Sequence, residues 1–229
     1  MEIPVRFAYL FLNFGFGILW VIFFVFLTRT RKIQLQISLL AAPLGPMIEC
    51  LYFRDYWFPM GALGELNIGP FRLLAEDFAF AFFFTGTTGI LAHLTGKRVK
   101  DFRLNMPIKL IGIGLVSVAI ATPLFLMGLN SIFATSVSFL LIAGLVSMTK
   151  KKSWKYSLRC GIASALMMIV IYFITFNLVS NSEELFKTIW FLYGHPVLGV
   201  RVWGIPITEI VWGFSWGVMM GSVRDYTFG

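Results

Sequence analysis

Charged side chains are scarce in this chain of 229 residues. Only 13% of its residues are Asp, Glu, Lys or Arg, whereas a soluble domain carries roughly a quarter. Apolar residues make up 58%, which excludes a disordered chain. At about 20 residues for each transmembrane helix, the length allows roughly six to eight spans and no sizeable soluble domain. The composition therefore predicts an all-α integral membrane protein with one polytopic domain over residues 1–229.

Cysteine and histidine are nearly absent, with only Cys50, Cys160, His93 and His195. The sequence has no CxxC motif and no pair of histidines at the spacing of metal ligands, so we expect no metal site. A GxGxxG dinucleotide fingerprint is also missing, so we expect no cofactor.

Seven apolar segments of about the length of a bilayer span predict a seven-transmembrane-helix bundle. They cover about 7–27, 33–53, 73–95, 106–128, 132–148, 157–179 and 205–222. Pro43, Gly45 and Pro46 interrupt the second segment. Most basic residues fall on one face of this topology, so we expect an outside N-terminus and a cytoplasmic C-terminus in a multi-pass protein of the cell membrane. The net charge of +8 then needs no nucleic-acid partner.

Two segments of similar sequence predict an internal repeat. Residues 63–86 read LGELNIGPFRLLAEDFAFAFFFTG, and residues 198–221 read LGVRVWGIPITEIVWGFSWGVMMG. Gly69 aligns with Gly204 and, after a slip of two residues, Glu76 aligns with Glu209. A chance match of Gly-rich segments is the alternative.

In both copies an outer loop and a Gly/Pro turn precede a helix with an acid in its first turn. Both helices would enter the membrane from the same side, which makes the repeat parallel, with halves of about 33–95 and 157–226. Several membrane folds with parallel repeats bind their ligand between the halves.

Four carboxylates lie inside or at the edge of the apolar segments: Glu49, Glu76, Asp77 and Glu209. A charged side chain at the bilayer centre costs about 2.5–3.5 kcal/mol on insertion scales, and such residues usually mark function. The topology places all four in the outer half of the membrane. We therefore expect them to line one cavity, with their carboxyl groups within about 15 Å of one another, roughly 1.5 helix diameters.

Each acid also has a structural alternative. Glu76 and Asp77 are placed to cap a helix N-terminus, and Arg72, four residues earlier, is placed to pair with Glu76. Glu49 could bind carbonyl groups freed by the proline break. Glu209 lies above Gly213, Gly217 and Gly221, whose spacing of four predicts a close helix contact, so we expect Glu209 to face protein.

Aromatic residues follow two of the acids at helical spacing. Trp212 and Trp216 lie three and seven residues after Glu209, and Phe80 and Phe83 lie four and seven residues after Glu76. Aromatic faces attract cations, so these rings are candidates for substrate binding. The alternative is that transmembrane spans are often aromatic near the interfaces.

The Gly/Pro turn and the acid at the start of an aromatic helix, used twice, resemble the integral-membrane lycopene cyclase family. The family motif is a proline followed two or three residues later by one or two acids. In the second copy Pro206-Ile207-Thr208-Glu209 matches this motif, with Ile210 in place of a common second acid. The first copy keeps the pair Glu76-Asp77 but has Leu73 where the proline would be.

The resemblance implies a non-redox carotenoid (lycopene-type) β-cyclase acting on a linear carotenoid within membrane lipid. One acid would protonate the ψ end group, the carbocation would close a ring, and a base would remove a ring proton. The residues implied are Glu76, Glu209 and Asp77, with Glu49 as a support. Because repeat alignment pairs Glu76 with Glu209, we expect Glu76→Gln to cost more activity than Asp77→Asn.

Three alternative functions require sequence features that can be checked. A retinal protein needs a Schiff-base lysine in its last span, and residues 205–222 contain none. A membrane prenyltransferase needs paired aspartate motifs, which are missing from the sequence. A non-enzymatic carotenoid or lipid carrier, or a proton-coupled transporter, would use the same acids, and the sequence leaves this alternative open. It also leaves the oligomeric state open.

Overall fold

A computed structural model describes residues 4–69, 71–95, 106–149, 153–179, 182–196 and 198–227 of the chain. Helices dominate it. The helices are α1 Ala8–Phe26, α2 Arg31–Ala41, α3 Leu44–Tyr52, α4 Ala75–Thr95, α5 Met106–Leu126, α6 Ser131–Thr149, α7 Ser153–Leu178, α8 Ser182–Ile189 and α9 Ile207–Thr227. The strands are β1 Glu65–Ile68, β2 Phe71–Leu74, β3 Arg201–Val202 and β4 Ile205–Pro206.

In the described part of the chain, five helices are long and apolar enough to cross a membrane: the segment Val5–Phe26, α4, Ile108–Leu126 of α5, α6 and Trp154–Leu178 of α7. The pair α2–α3 is bent by 47° and would make a sixth span if it crosses as one. Helix α9 has 21 residues but is less apolar and does not join these candidates. The all-α membrane class is thus confirmed, while the count of seven spans and the orientation stay predictions.

Seven of the basic residues that determine the predicted orientation lie outside the described residues: Lys97, Arg98, Lys100, Arg103 and Lys150–Lys152.

The break in the second span lies where the prolines predict it. Helix α2 ends at Ala41 and α3 begins at Leu44, because a proline ring cannot donate to the helical ladder and clashes with the preceding turn. Gly45, the second residue of α3, lies against α4, where an added Cβ atom would come within 2.6 Å of the Ala81 Cβ. The bend and the missing side chain together let α3 approach the start of α4.

The chain forms two compact units. The first comprises Met1–Thr87 and Ile169–Ile207, and the second comprises Thr88–Met168 and Thr208–Gly229.

The first unit contains two antiparallel hairpins that the sequence did not predict. In one, Glu65 pairs with Leu74 and Ile68 with Phe71; in the other, β3 pairs with β4. Their turns use glycines in left-handed backbone conformations, Gly69 at φ +56° and Gly204 at φ +80°. Trp203, at φ +53°, completes a two-residue turn with both central residues at positive φ, which matches the twist of the flanking strands. Each hairpin leads directly into a helix, β2 into α4 and β4 into α9.

The second unit contains the close helix contact that the spaced glycines predict. A Cβ atom at Gly213 would lie 2.6 Å from Met168 Cγ, and one at Gly217 would lie 2.6 Å from the Ser164 Cβ. At Gly221 it would lie 2.7 Å from the Ser157 Cα. Helix α9 therefore packs its glycine stripe onto α7 at almost backbone-to-backbone distance.

Candidate functional site

All four acids singled out in the sequence are buried. The relative exposure is 6% for Glu49, 0% for Glu76 and Asp77, and 5% for Glu209. The first three belong to the first unit, and Glu209 belongs to the second. That all four share one cavity stays a prediction.

Asp77 is the third residue of α4, and each of its carboxyl oxygens accepts a hydrogen bond. The Tyr9 hydroxyl donates to Oδ1 at 3.0 Å, and the backbone N–H of Leu74 donates to Oδ2 at 3.2 Å. The bond to Leu74 is half of a capping box, in which an acid in the first turn bonds the N–H of the residue before the helix. The capping alternative therefore holds for one oxygen of Asp77, while the other bonds a side chain of α1.

Glu49 accepts a hydrogen bond from an indole. The Trp57 Nε1–H donates to Glu49 Oε2 at 2.7 Å, and both side chains are buried. Trp57 lies in the connection after α3, so the chain folds back to place its ring beside Glu49. A buried carboxyl needs such a partner, because an unmade hydrogen bond in an apolar interior is costly.

Glu76 binds the loop that precedes β1. Its Oε1 accepts the backbone N–H groups of Ala62 at 2.6 Å and Leu63 at 2.9 Å. Its Oε2 is buried and has no hydrogen-bond partner among the described residues. The carboxyl group thus fixes the loop with one oxygen and leaves the other in the interior.

Arg72 does not pair with Glu76, so that alternative is wrong. Its guanidinium bonds Glu65 Oε2 at 2.8 Å and the Pro59 carbonyl at 2.9 Å. It also lies 4.1 Å from the centre of the Phe58 ring. Its partners thus lie in the hairpin and in the loop before it, not in α4. The hydrogen bond from Arg72 lowers the pKa of the exposed Glu65 carboxyl.

An aromatic wall lies next to Asp77 in the first unit; we use this name for Tyr9, Trp57, Phe16, Phe80 and Phe84. Tyr9 and Trp57 meet edge to face with ring centres 5.0 Å apart. Phe80 and Phe84 stack at 5.2 Å, and Phe16 presents its edge to both at 5.5 and 5.3 Å. All five side chains are buried, so the rings pack mainly against one another.

Phe83, a predicted substrate contact, lies elsewhere on α4. Its ring contacts Trp20 at 6.2 Å between centres and packs against Gly17 of α1. Phe80, the other predicted substrate contact on α4, lies in the aromatic wall, where it stacks on Phe84.

Glu209 is the third residue of α9 and is followed by a similar aromatic pair. Trp212 and Trp216 stack with ring centres 6.0 Å apart and an interplanar angle of 14°. Phe139 of α6 presents its edge to them, at 5.0 Å from Trp216 and 6.2 Å from Trp212. The second unit thus carries its own buried acid and aromatic group.

The internal repeat stays a prediction, but the helices offer a register for it that differs by one residue from the sequence alignment. Asp77 and Glu209 are each the third residue of a helix that follows a hairpin. The stacked pairs, Phe80 with Phe84 and Trp212 with Trp216, lie three and seven residues after them. In this register the counterpart of Glu209 is Asp77, and Glu76 corresponds to Thr208.

Asp77 lies eight residues after Gly69, whereas Glu209 lies five residues after Gly204. This register therefore needs a slip of three residues, of which the longer strand β2 accounts for two, and the sequence alignment allowed only two.

The sequence also missed Tyr9, Trp57 and Phe16 as parts of the site. Tyr9 is one hydroxyl in an apolar span, and Trp57 is one of several aromatic residues in an outer connection. The only sequence feature that pointed to Tyr9 was a hydroxyl group within a phenylalanine-rich span. Among the residues that the structure describes, no group of three or more His, Cys, Asp and Glu side chains could hold a metal ion.

A protein-family model described as lycopene cyclase matches residues 130–227. The match supports a lycopene cyclase family assignment. The matched residues run from the start of α6 to the end of α9 and include Glu209, Trp212 and Trp216. The resemblance predicted from the sequence is thereby confirmed for its second half, while for residues 33–95 it stays a prediction. Searches of curated proteins and of solved structures gave no match.

The match supports a carotenoid cyclase function in general. Together with the apolar helices, it supports the membrane class predicted from the sequence.

Proposed function

We propose that this protein is a non-redox carotenoid β-cyclase of the cell membrane that closes a ring at a linear ψ end group. The observation that carries the proposal is the burial of Asp77 beside the aromatic wall, with a side-chain donor on one of its oxygens and a backbone donor on the other. The family assignment supports the same chemistry from the other copy of the repeat, since it covers Glu209 and its tryptophan pair.

The reaction is an isomerisation in which one proton enters and one proton leaves. A carboxylic acid protonates the terminal double bond of the ψ end group and leaves a tertiary carbocation. The π electrons of the neighbouring double bond attack this carbon and form the new carbon–carbon bond of a six-membered ring. A carboxylate then removes a ring proton, which regenerates a double bond and gives a product with the same atoms as the substrate.

Carboxyl groups serve both proton transfers. Asp77 and Glu209 are each the third residue of a helix that follows a hairpin, so we assign both to proton transfer, with Glu49 as a support. Glu76 offers only Oε2 to a substrate, because its Oε1 is engaged by the loop. Each positioned proton transfer is worth about 10²–10⁴-fold in rate.

Aromatic rings stabilise the carbocation. Phe80 in the first unit and Trp212 and Trp216 in the second present π systems near a buried acid. The attraction between a cation and a ring face reaches about 2 kcal/mol or more when both are desolvated. Excluding water also protects the cation from capture as an alcohol.

A non-enzymatic carrier or a proton-coupled transporter remains the competing function, although the family match does not favour it. Expression in a host that accumulates lycopene separates the two. We expect the wild-type protein to convert the pigment to a cyclised isomer and an equally expressed Glu209→Gln variant to lose most conversion. Because an amide keeps the shape but cannot exchange the proton at working pH, the variant should still fold. Retention of unchanged lycopene by the wild-type protein would favour the carrier.

A further inference from the structure

Tyr9 is buried inside the first unit with a relative exposure of 3%, and its hydroxyl is the side-chain donor to Asp77. The two residues are 68 positions apart, on α1 and α4. Phenylalanine is the common aromatic residue in this chain, with 25 copies against 7 of tyrosine. A phenylalanine at position 9 would fill the same space without bringing a polar atom into an apolar interior. The hydrogen bond to Asp77 compensates for the cost of burying the hydroxyl group.

The two donors leave the Asp77 carboxyl group in one orientation. Tyr9 donates to Oδ1 and the Leu74 N–H donates to Oδ2, so neither oxygen can rotate without losing a bond. An ionised carboxylate accepts about four hydrogen bonds, so each oxygen keeps a lone pair for a substrate proton. The two donors stabilise the negative charge of the base form, against the burial that opposes it.

The Tyr9 ring is itself held on two sides. The Trp57 ring meets it edge to face at 5.0 Å, and Phe80 lies at 6.2 Å. Trp57 in turn donates to Glu49, so two adjacent aromatic donors serve two different acids. The Tyr9 hydroxyl is thus fixed by packing, as a group that positions a reacting carboxyl group must be.

Glu76, the acid next to Asp77, receives no hydrogen bond from Tyr9. The hydrogen bonds to Glu76 come from the backbone of Ala62 and Leu63 and reach only Oε1. Tyr9 therefore distinguishes between two consecutive carboxyl groups that point about 100° apart on one helix.

We propose that Tyr9 is a positioning residue that holds the Asp77 carboxylate ready to remove the ring proton. This inference rests on the proposed cyclase function. It makes Tyr9 necessary for the rate of the reaction but not for substrate binding, because the hydroxyl acts on Asp77 and the ring remains in the wall when the hydroxyl is removed.

The test compares Tyr9→Phe with wild type as purified proteins in lipid vesicles that contain lycopene. We expect kcat to fall about tenfold to hundredfold, as for the loss of a hydrogen bond to a charged group, with KM unchanged. Tyr56→Phe is the matched control, since Tyr56 is another buried tyrosine of this unit whose hydroxyl accepts a hydrogen bond from Trp190 Nε1 at 3.3 Å. It should keep the wild-type kcat.

Three outcomes would overturn the inference: an unchanged kcat in Tyr9→Phe, a rise in KM at constant kcat, or an equal fall in Tyr56→Phe. If Tyr9→Phe does not fold, Asp77→Glu replaces it, because the longer side chain keeps the charge but moves the carboxyl group away from the hydroxyl. We expect the same kcat loss, and a full kcat would contradict the proposal. A wild-type protein that converts no lycopene would instead refute the cyclase function itself.

Discussion

Glu76 Oε1 accepts the backbone N–H of Ala62 at 2.6 Å, which ties the start of α4 to the loop before β1. A second N–H, from Leu63, reaches the same oxygen at 2.9 Å. This places one of the two consecutive acids in a structural role that the sequence did not predict.

Removing this tie should free the loop. We expect Glu76→Ala to accelerate amide hydrogen exchange at Ala62 and Leu63, because both N–H groups lose their acceptor. Glu76→Gln should leave exchange near the wild-type rate, since the amide oxygen still accepts. Mass spectrometry of peptides covering residues 59–66 measures both variants. Equal protection in Glu76→Ala and wild type would show that the bond does not hold the loop.

The order of importance of Glu76 and Asp77 should be the reverse of what the sequence predicts. The structural register makes Asp77 the counterpart of Glu209. We expect Asp77→Asn to lower conversion about 10²–10⁴-fold, the value of a lost acid–base step, and Glu76→Gln to lower it by less than about tenfold. Pigment analysis at matched expression decides it. An active Asn variant with an inactive Gln variant would restore the original order.

The same register makes Phe84 more important than Phe83. Both are phenylalanines of α4, but Phe84 stacks on Phe80 in the aromatic wall, whereas Phe83 packs near Trp20. Phe84→Leu should reduce conversion several-fold, in line with the loss of about 0.5–2 kcal/mol of cation–π interaction, while Phe83→Leu should stay close to wild type. Thermal unfolding of both variants corrects for lost packing. A larger loss in Phe83→Leu would return that residue to the site.

The contact between α7 and α9 should tolerate no added methyl group. At Gly217 a Cβ would lie 2.7 Å from the Cys160 carbonyl oxygen, a backbone atom that cannot move aside. We expect Gly217→Ala to cost about 1–3 kcal/mol, the usual range for overpacking. Gly112→Ala in α5 is the control, because nothing lies within 4 Å of a Cβ there, and it should be neutral or stabilising. Equal melting temperatures of Gly217→Ala and the wild-type protein in detergent would argue against the close contact.

Composition and apolar pattern were enough to predict the membrane class, most of the long helices and the break at Pro43. These features depend on local chemistry, since a proline lacks a backbone N–H and crowds the preceding turn. The spacing of four between the glycines of α9 was likewise enough to predict a close helix contact.

The hairpins and the partners of the acids could not be predicted in this way. Strands of two to four residues in an apolar connection look like loops, and only the positive φ of Gly69 and Gly204 reveals the turns. The hydrogen bond between Tyr9 and Asp77 joins residues 68 positions apart, so no local sequence pattern predicts it.

The most direct test of the cyclase account is conversion of lycopene by the purified protein in vesicles prepared in D₂O. Carboxyl protons exchange with solvent, so the acid that starts the reaction carries deuterium, while the base removes a different hydrogen from the ring. The account predicts that the cyclised product is about one mass unit heavier than the substrate for each ring closed, and that Glu209→Gln gives little product. A cyclised product without deuterium, a product that has lost two hydrogens, or unchanged lycopene would contradict it.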